Sequence, residues 1–180
     1  MRIISGKFGG RKIHPPHHMP HTRPTTDIAK EGLFNILHSR VAIEGASTLD
    51  LFGGTGCISY ELASRGAEQL TIVEKDPQMY DFIKKNLEML GVKNVQMFKM
   101  DVFQYLQNCN QKYDIIFAGP PYALNTIDEL PKIIVAKKLI DPEGYFVLEH
   151  TPRNNYEKFE GYSFQRNYGT TIFSFFECRE

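Results

Sequence analysis

From Ser47 onward the chain alternates between short apolar runs and longer segments with a helical pattern. The short runs predict strands at residues 48–52, 70–74, 95–100, 113–118, 145–149, 162–168 and 171–177. The longer segments predict helices at residues 58–65, 78–90, 102–109 and 127–136. Alternating strands and helices are typical of an α/β fold, with a mostly parallel sheet covered on both faces.

The last part of this pattern modifies the expected sheet. Residues 113–118 are almost wholly apolar, which favours a central position. Residues 141–144, Asp-Pro-Glu-Gly, predict a turn before the fifth strand. The final two strands flank Gly169 and predict an antiparallel hairpin, so that the seven-stranded sheet becomes mixed.

The first 40 residues follow a different pattern. Residues 2–4 and 11–13 predict two short strands around a glycine-rich turn. Residues 14–24 hold four prolines and four histidines and predict an extended connector. Asp27 is expected to cap a helix that ends near Arg40. We therefore expect an N-terminal hairpin and helix extension at 1–40, followed by the main domain at 41–180.

Charge sharpens this division. The chain of 180 residues has a formal net charge of zero, with 42% hydrophobic and 23% charged residues. Residues 1–40 contain seven Lys or Arg against two acids, a net charge of +5, which leaves −5 on the remainder. A basic arm on an acidic body indicates a polyanionic partner, although a solvated basic tail gives the same count.

Several classes of protein are disfavoured by composition. No apolar run is long enough for a membrane span, and the first residues lack the apolar stretch of a signal peptide. The three cysteines, Cys57, Cys109 and Cys178, indicate reduced thiols in a cytoplasmic protein. The histidines of the connector are read as a solvated tract, so we expect no metal.

The most informative segment is residues 49–56, Leu-Asp-Leu-Phe-Gly-Gly-Thr-Gly, where a buried strand enters a glycine turn and then a helix. Glycines allow a ligand to approach the backbone closely. The next strand ends at Glu74, whose carboxylate can accept from both ribose hydroxyls of a nucleoside. The third ends at Asp101, which suits either an adenine amino group or a helix cap. Three such features at successive strand ends indicate a nucleoside-containing cofactor.

A nicotinamide dinucleotide is the competing cofactor. Its fingerprint requires a third glycine where this chain has Ser59. Asp50, just before the loop, also disfavours a pyrophosphate. That carboxylate suits the amino and sulfonium groups of S-adenosylmethionine.

Several segments resemble the bacterial 16S ribosomal RNA guanine-N2 methyltransferase family (the RsmD type). The most specific is residues 22–27, Thr-Arg-Pro-Thr-Thr-Asp, followed by Glu-Gly-Leu-Phe-Asn at 31–35. The opening residues 2–7, the glycine loop at 49–56 and Ser-Arg-Gly-Ala at 64–67 are also similar to the family. The resemblance spans most of the chain.

The resemblance implies a Rossmann-like methyltransferase fold and transfer of methyl from S-adenosylmethionine to 16S RNA in an assembling small subunit, by a protein that we expect to be a monomer. The implied cofactor contacts are Asp50, Phe52, Gly53, Gly54, Thr55, Gly56, Glu74, Lys75, Asp101 and Val102. The expected RNA contacts are Arg2, Lys7, Arg11, Lys12, Arg23, Thr25 and Thr26.

The fourth strand leads into the expected catalytic residues Gly119, Pro120, Pro121 and Tyr122. Amino-methylating enzymes of this type usually carry Asp or Asn where this chain has Gly119. A side-chain oxygen there accepts an N–H of the target amine and aligns its lone pair with the methyl group. The Pro120 carbonyl remains as an acceptor, and Tyr122 can stack on a base turned out of its helix.

Gly119 keeps two alternatives open. One is an adenine-N6 methyltransferase acting on DNA or RNA, which would use the same loop. The other is a non-catalytic RNA-binding or assembly protein that retains the cofactor fold. Loss of one preorganised polar group typically lowers a rate about 10²–10³-fold, so we expect binding to survive and the chemical step to weaken.

Overall fold

A computed structural model describes residues 1–17 and 25–178. Among them, seven strands form one sheet in the order β3-β2-β1-β4-β5-β7-β6. The strands are β1 (Ser47–Leu51), β2 (Gln69–Val73), β3 (Val95–Phe98), β4 (Tyr113–Ala118), β5 (Ile140–His150), β6 (Tyr162–Tyr168) and β7 (Thr171–Phe176). The helices are α1 (Asp27–Arg40), α2 (Cys57–Ser64), α3 (Pro77–Met89), α4 (Val102–Asn108) and α5 (Glu129–Ala136).

The sheet confirms the predicted mixed α/β architecture. Strands β1 to β5 are parallel, whereas β7 runs antiparallel to both β5 and β6. The chain adds β2 and β3 on one side of β1 and then crosses to β4 on the other side. Ligands of such sheets bind beyond the carboxyl ends of the strands at this reversal. The order of the strands therefore places a site between β1 and β4.

Helices cover both faces of the sheet. On one face, α1 and α2 pack on residues of β4, β5 and β7 in an apolar cluster that includes Leu33, Phe117 and Phe173. On the other face, α4 and α5 pack on a second cluster that includes Ile116 and Phe146. Side chains of one strand point alternately to opposite faces, so neighbours such as Ile116 and Phe117 join different clusters. The central strands are therefore buried on both sides, which explains their continuous apolar runs.

The N-terminal segment pairs with itself where a hairpin was predicted at residues 2–4 and 11–13. Arg2 and Lys12 form an antiparallel bridge flanked by backbone hydrogen bonds, so the expected pairing is present, although it is shorter than two full strands. The backbone amides of Ile4 and Ser5 also donate to the Glu61 carboxylate, at 2.8 and 3.1 Å. A buried carboxylate on α2 therefore binds the backbone at the start of the turn.

Glu61 is fully buried and holds the N-terminal segment against α1 and α2. Arg65 lies 2.8 Å from one of its oxygens and Lys30 lies 3.7 Å from the other. Lys30 also donates to the backbone carbonyl of Arg2 at 2.6 Å. Buried charges require such partners, and removing one of them commonly destabilises a fold by about 3–5 kcal/mol. These contacts join the segments 1–40 and 41–180 closely; their functional division remains a prediction.

Two predicted local features are also corrected. The cap of α1 is Thr26, whose hydroxyl accepts from the Ala29 amide at 3.2 Å, whereas Asp27 is the first helical residue and pairs with Arg2. Residues 141–144 do not form a turn outside the sheet but lie within β5. The register between β4 and β5 shifts there, and this irregularity accommodates the residues inside the strand. The other predicted helices and strands have ends within two residues of the prediction, except that β5 begins five residues early because it includes residues 141–144.

Candidate functional site

A cavity of about 620 Å³ lies at the carboxyl ends of β1 to β5. This volume is typical of sites for ligands the size of a nucleoside. The segments that follow β1, β2 and β3 form one side, which we call the cofactor side: residues 50–58, 73–79 and 100–103. The segments that follow β4 and β5, together with Thr25, form the other, which we call the substrate side: residues 119–124 and 149.

The turn after β1 is shaped by unusual backbone conformations. Phe52 has φ of +62° and Gly56 has φ of +84°, so the chain reverses sharply between the strand and α2. Gly53 lies so close to the sheet that a Cβ atom there would be 2.8 Å from the Ile72 side chain. A larger residue would force this turn outward into the cavity. The predicted need for glycine at this position therefore has a direct steric cause.

Asp50 lies at the base of the cavity. It is 2% exposed, and the Ser59 hydroxyl donates to its carboxylate at 2.6 Å. Burial raises the pKa of Asp50 to about 7, the Ser59 hydrogen bond opposes this shift, and the nearby charge of Glu74 adds to it. A carboxylate so placed is stabilised by a cation in the cavity. Ser59, which replaces the glycine of a dinucleotide fingerprint, thus orients Asp50.

Glu74 joins the turns that follow β1 and β2. One carboxylate oxygen accepts from the Gly54 amide at 2.8 Å, and the other accepts from the Asp76 amide at 2.9 Å. Each carboxylate oxygen has a second lone pair, so the group can also accept from ribose hydroxyls. The two amides fix the orientation in which it would meet a ribose.

Asp101 follows β3 and acts as the N-cap of α4. One of its oxygens accepts from the amides of Phe103 and Gln104, at 2.8 and 3.3 Å. The helix-cap role weighed from the sequence is therefore present. Asp101 and Val102 also line the cavity, so an adenine contact remains a prediction.

The substrate side is assembled from three separate segments. Gly119, Pro120, Pro121 and Tyr122 leave β4 and line the cavity. Glu149, at the end of β5, is 5% exposed and faces the same space. It accepts hydrogen bonds from the Thr25 hydroxyl at 2.8 Å and from the Tyr122 hydroxyl at 3.1 Å. The Thr-Thr signature, the Pro-Pro-Tyr loop and β5 therefore meet at one carboxylate.

Comparison with known proteins decides the family. A sequence model described as conserved hypothetical protein 95 matches residues 1–177. The chain is 32% identical over 154 residues to ribosomal RNA small subunit methyltransferase D of Buchnera aphidicola, covering 85% of this chain and 79% of that protein. It is 30% identical over 154 residues to the protein of that name in Escherichia coli K12, covering 86% and 76%. The chain belongs to this methyltransferase family.

Solved structures agree with membership of the methyltransferase family. The Escherichia coli protein yhhF superposes with a TM-score of 0.84 at 26% identity, covering 99% of both chains. A hypothetical protein from Thermus thermophilus gives a TM-score of 0.86 at 26% identity, covering 98% of this chain and 99% of that one. The expected methyltransferase fold is confirmed, and the family confirms S-adenosylmethionine as the cofactor.

The cavity fits that methyltransferase cofactor. The close approach of Gly53 to the sheet leaves open space in front of the turn, and Asp50 provides a buried anion for the cationic end of the ligand. Of the ten residues expected to contact the cofactor, nine line the cavity, and Gly56 is instead the N-cap residue of α2. Their individual roles in binding remain predictions.

The residues expected to bind RNA do not form one patch. Lys7 and Arg11 are exposed and lie on the Phe8 ring, at 5.4 and 5.3 Å from its centre. This tip contacts Ser64 at the end of α2, whereas α2 begins at the cavity. Eight helical residues span about 12 Å, so the tip lies well away from the cavity.

The remaining residues predicted to bind RNA lie elsewhere than Lys7 and Arg11. Arg2 is exposed and pairs with Asp27 at 3.5 Å, and Lys12 is exposed. Thr25 lines the cavity and the Thr26 hydroxyl caps α1. Arg23 lies outside the described residues.

Glu149 was not among the site residues predicted from the sequence. Residue 149 was predicted to end the fifth strand, and ligands bind beyond such ends, so this signal was present. Cys57, which lines the cavity, was also assigned no role. Burial raises the pKa of the Cys57 thiol to about 11, so the thiol is protonated at neutral pH and is not a nucleophile.

The described residues show neither a metal cluster nor a membrane-spanning helix. Within 1–17 and 25–178, no three His, Cys, Asp or Glu side chains gather in a way that could hold a metal ion. His18 and His21 of the connector lie outside these ranges. None of the helices described has the length and apolarity needed to cross a membrane.

Proposed function

We propose that this chain uses S-adenosylmethionine to methylate ribosomal RNA, at the exocyclic N2 amine of a guanine in 16S RNA. The observation that carries the proposal is the shared cavity. The carboxylates of Asp50 and Glu74 line one side, and the Pro-Pro-Tyr loop lines the other. The relatives named ribosomal RNA small subunit methyltransferase D support the class of substrate. The resemblance of the sequence to guanine-N2 enzymes supports the choice of amine.

The chemistry requires little beyond positioning. When bound, S-adenosylmethionine supplies a methyl group already activated by its sulfonium. The protein must hold the amine in line with that methyl group and exclude water. Pro120 is buried at the cavity wall and its carbonyl can accept an N–H. The half-buried ring of Tyr122 offers a surface for a base turned out of its helix.

The arm formed by residues 1–13 is proposed to contact RNA phosphates. Its exposed cations Arg2, Lys7, Arg11 and Lys12 extend from near the start of α2 to its end. A flipped base in the cavity would leave its flanking backbone free to run along this arm. Such contacts release counterions, so RNA affinity should fall steeply as salt rises. We further propose that the substrate is the assembling small subunit in the cytoplasm and that the enzyme acts as a monomer.

Methyl transfer to RNA tests this function. Purified protein and radiolabelled S-adenosylmethionine are incubated with 16S RNA, with partly assembled small subunits and with DNA. The modified nucleoside is then identified by mass spectrometry. We expect N2-methylguanosine from small-subunit RNA. N6-methyladenosine would instead support the adenine-N6 alternative, and RNA binding without transfer would support an assembly protein.

A further inference from the structure

Glu149 occupies the place next to Gly119 at the edge of the sheet. Strands β4 and β5 are parallel, with Ala118 opposite Leu148, so the next residues on the two strands emerge side by side. Adjacent strands are about 4.8 Å apart, a distance that a glutamate side chain can cross. A Cβ atom built on Gly119 would lie 3.9 Å from one carboxylate oxygen of Glu149. The Glu149 carboxylate therefore borders the space that a side chain at position 119 would enter.

The orientation of this carboxylate is fixed. The Thr25 hydroxyl donates to Oε1 at 2.8 Å, and the Tyr122 hydroxyl donates to Oε2 at 3.1 Å. A carboxylate offers about four lone-pair sites, so the group can accept an amine N–H in addition to these hydrogen bonds. A catalytic acceptor held by neighbouring groups avoids reorganisation when charge develops. The arrangement at Glu149 has these properties.

We infer that Glu149 is a catalytic residue that supplies the acceptor for the target amine, in place of the missing side chain at Gly119. This inference rests on the proposed methyl transfer to RNA. A Glu149 oxygen accepts an N–H of the amine and aligns the nitrogen lone pair with the methyl group. The N–C bond forms as the C–S bond breaks, and that electron pair converts the sulfonium into a neutral thioether. The nitrogen then releases one proton to Glu149, from which it passes to solvent.

This role makes a specific prediction for Glu149→Gln. The amide oxygen can still accept an N–H, but the side chain loses its charge and cannot take the proton. We expect kcat to fall about 10²–10³-fold, within the usual contribution of a positioned proton acceptor. The affinity for S-adenosylhomocysteine and the KM for RNA should stay within about twofold, because the interaction belongs to the transition state. Glu143→Gln, an exposed position on the same strand, is the matched control and should behave as the wild type.

A second pair of variants separates catalysis from anchoring. If Glu149 only anchors Thr25 and the residues before it, Thr25→Val should lower kcat as much as Glu149→Gln does. If Glu149 accepts the amine proton, Thr25→Val should lower kcat far less. The double variant Gly119→Asp, Glu149→Gln should then have a kcat at least about tenfold above that of Glu149→Gln, because a carboxylate is again available to the amine. Its Cβ meets the Phe117 ring at 3.0 Å, so S-adenosylhomocysteine binding is measured as a check of folding.

The outcomes are distinct. A folded Glu149→Gln protein with wild-type kcat would overturn the inference and leave the proposed function intact. Equal losses in Thr25→Val and Glu149→Gln, with no rescue by Gly119→Asp, would also overturn it in favour of anchoring. Absence of transfer by the wild type to any small-subunit RNA would overturn both the inference and the proposed function.

Discussion

The two sides of the cavity are built in different ways. On the cofactor side, the contacts join residues that are close in sequence: Asp50 and Ser59 are nine positions apart, and Glu74 meets Gly54 and Asp76 at separations of 20 and two. On the substrate side, Glu149 meets Tyr122 at a separation of 27 and Thr25 at 124. The cofactor side is therefore formed within successive strand–turn–helix units. The substrate side also needs Thr25, which lies just before α1 and reaches Glu149 across 124 positions.

This difference predicts which property of the enzyme a substitution on each side affects. A substitution on the cofactor side should act mainly on cofactor affinity. A substitution on the substrate side should act mainly on turnover. The three variants below test this separation, from the largest expected effect to the smallest.

Glu74→Ala should give the largest change. It removes the acceptor of the Gly54 and Asp76 amides and the expected acceptor of the ribose hydroxyls. Hydrogen bonds to charged groups contribute about 1.5–3 kcal/mol each. Losing the two expected hydrogen bonds from the ribose hydroxyls should therefore weaken cofactor binding about 100-fold or more. Calorimetry with S-adenosylhomocysteine measures this, and Glu88→Ala on the exposed side of α3 is the matched control. Equal affinity in the two variants would show that the ribose site is misassigned.

The pH dependence of cofactor binding tests Asp50. Because burial raises the pKa of Asp50 to about 7, the carboxyl is largely protonated below that pH and must lose its proton to stabilise a cation. The affinity for S-adenosylmethionine should therefore fall as pH is lowered through 7, by up to about tenfold per pH unit.

Two comparisons make the assignment to Asp50 specific. Asp50→Asn should bind weakly with little dependence on pH. S-adenosylhomocysteine lacks the sulfonium charge and should show a shallower dependence. An unchanged slope in Asp50→Asn would mean that another group titrates.

Tyr122→Phe should give the smallest change and should act on turnover. The ring remains available for stacking, but the hydrogen bond to Glu149 is lost. A hydrogen bond of about 0.5–1.5 kcal/mol corresponds to a loss of about two- to tenfold in kcat. Cofactor affinity should be unchanged, and Tyr80→Phe on α3 is the control. A larger change in cofactor affinity than in kcat would break the separation between the two sides.

Some features were predictable from the sequence because their causes are local. The glycine turn after β1 could be found because Gly53 packs against the sheet and Gly56 needs a positive φ. Glu74 and Asp101 could be found because each follows an apolar strand, and Asp50 because it is an acid inside an otherwise apolar strand. The helix at Asp27–Arg40 was predicted, but its cap was placed one residue late, since both Thr26 and Asp27 are good caps.

Other features required the assembled sheet. The amides of Ile4 and Ser5, at the start of the N-terminal turn, donate to Glu61, a buried carboxylate on α2 that needs nearby donors. The expected turn at 141–144 became part of β5 because the sheet absorbs those residues through a shift in register. Neither the contacts at the N-terminus nor the course of residues 141–144 is determined by the local sequence alone.

The sequence by itself determined the alternation of strands and helices, the glycine turn and the acids at the ends of the first three strands. These follow from apolar patterning and from the conformations that glycine permits. The tertiary structure alone decided that Glu149 lies beside Gly119 and is held by Thr25 and Tyr122. The physical reason is that strand order brings β4 and β5 together, while the packing of α1 on the same face of the sheet brings Thr25, just before that helix, to Glu149.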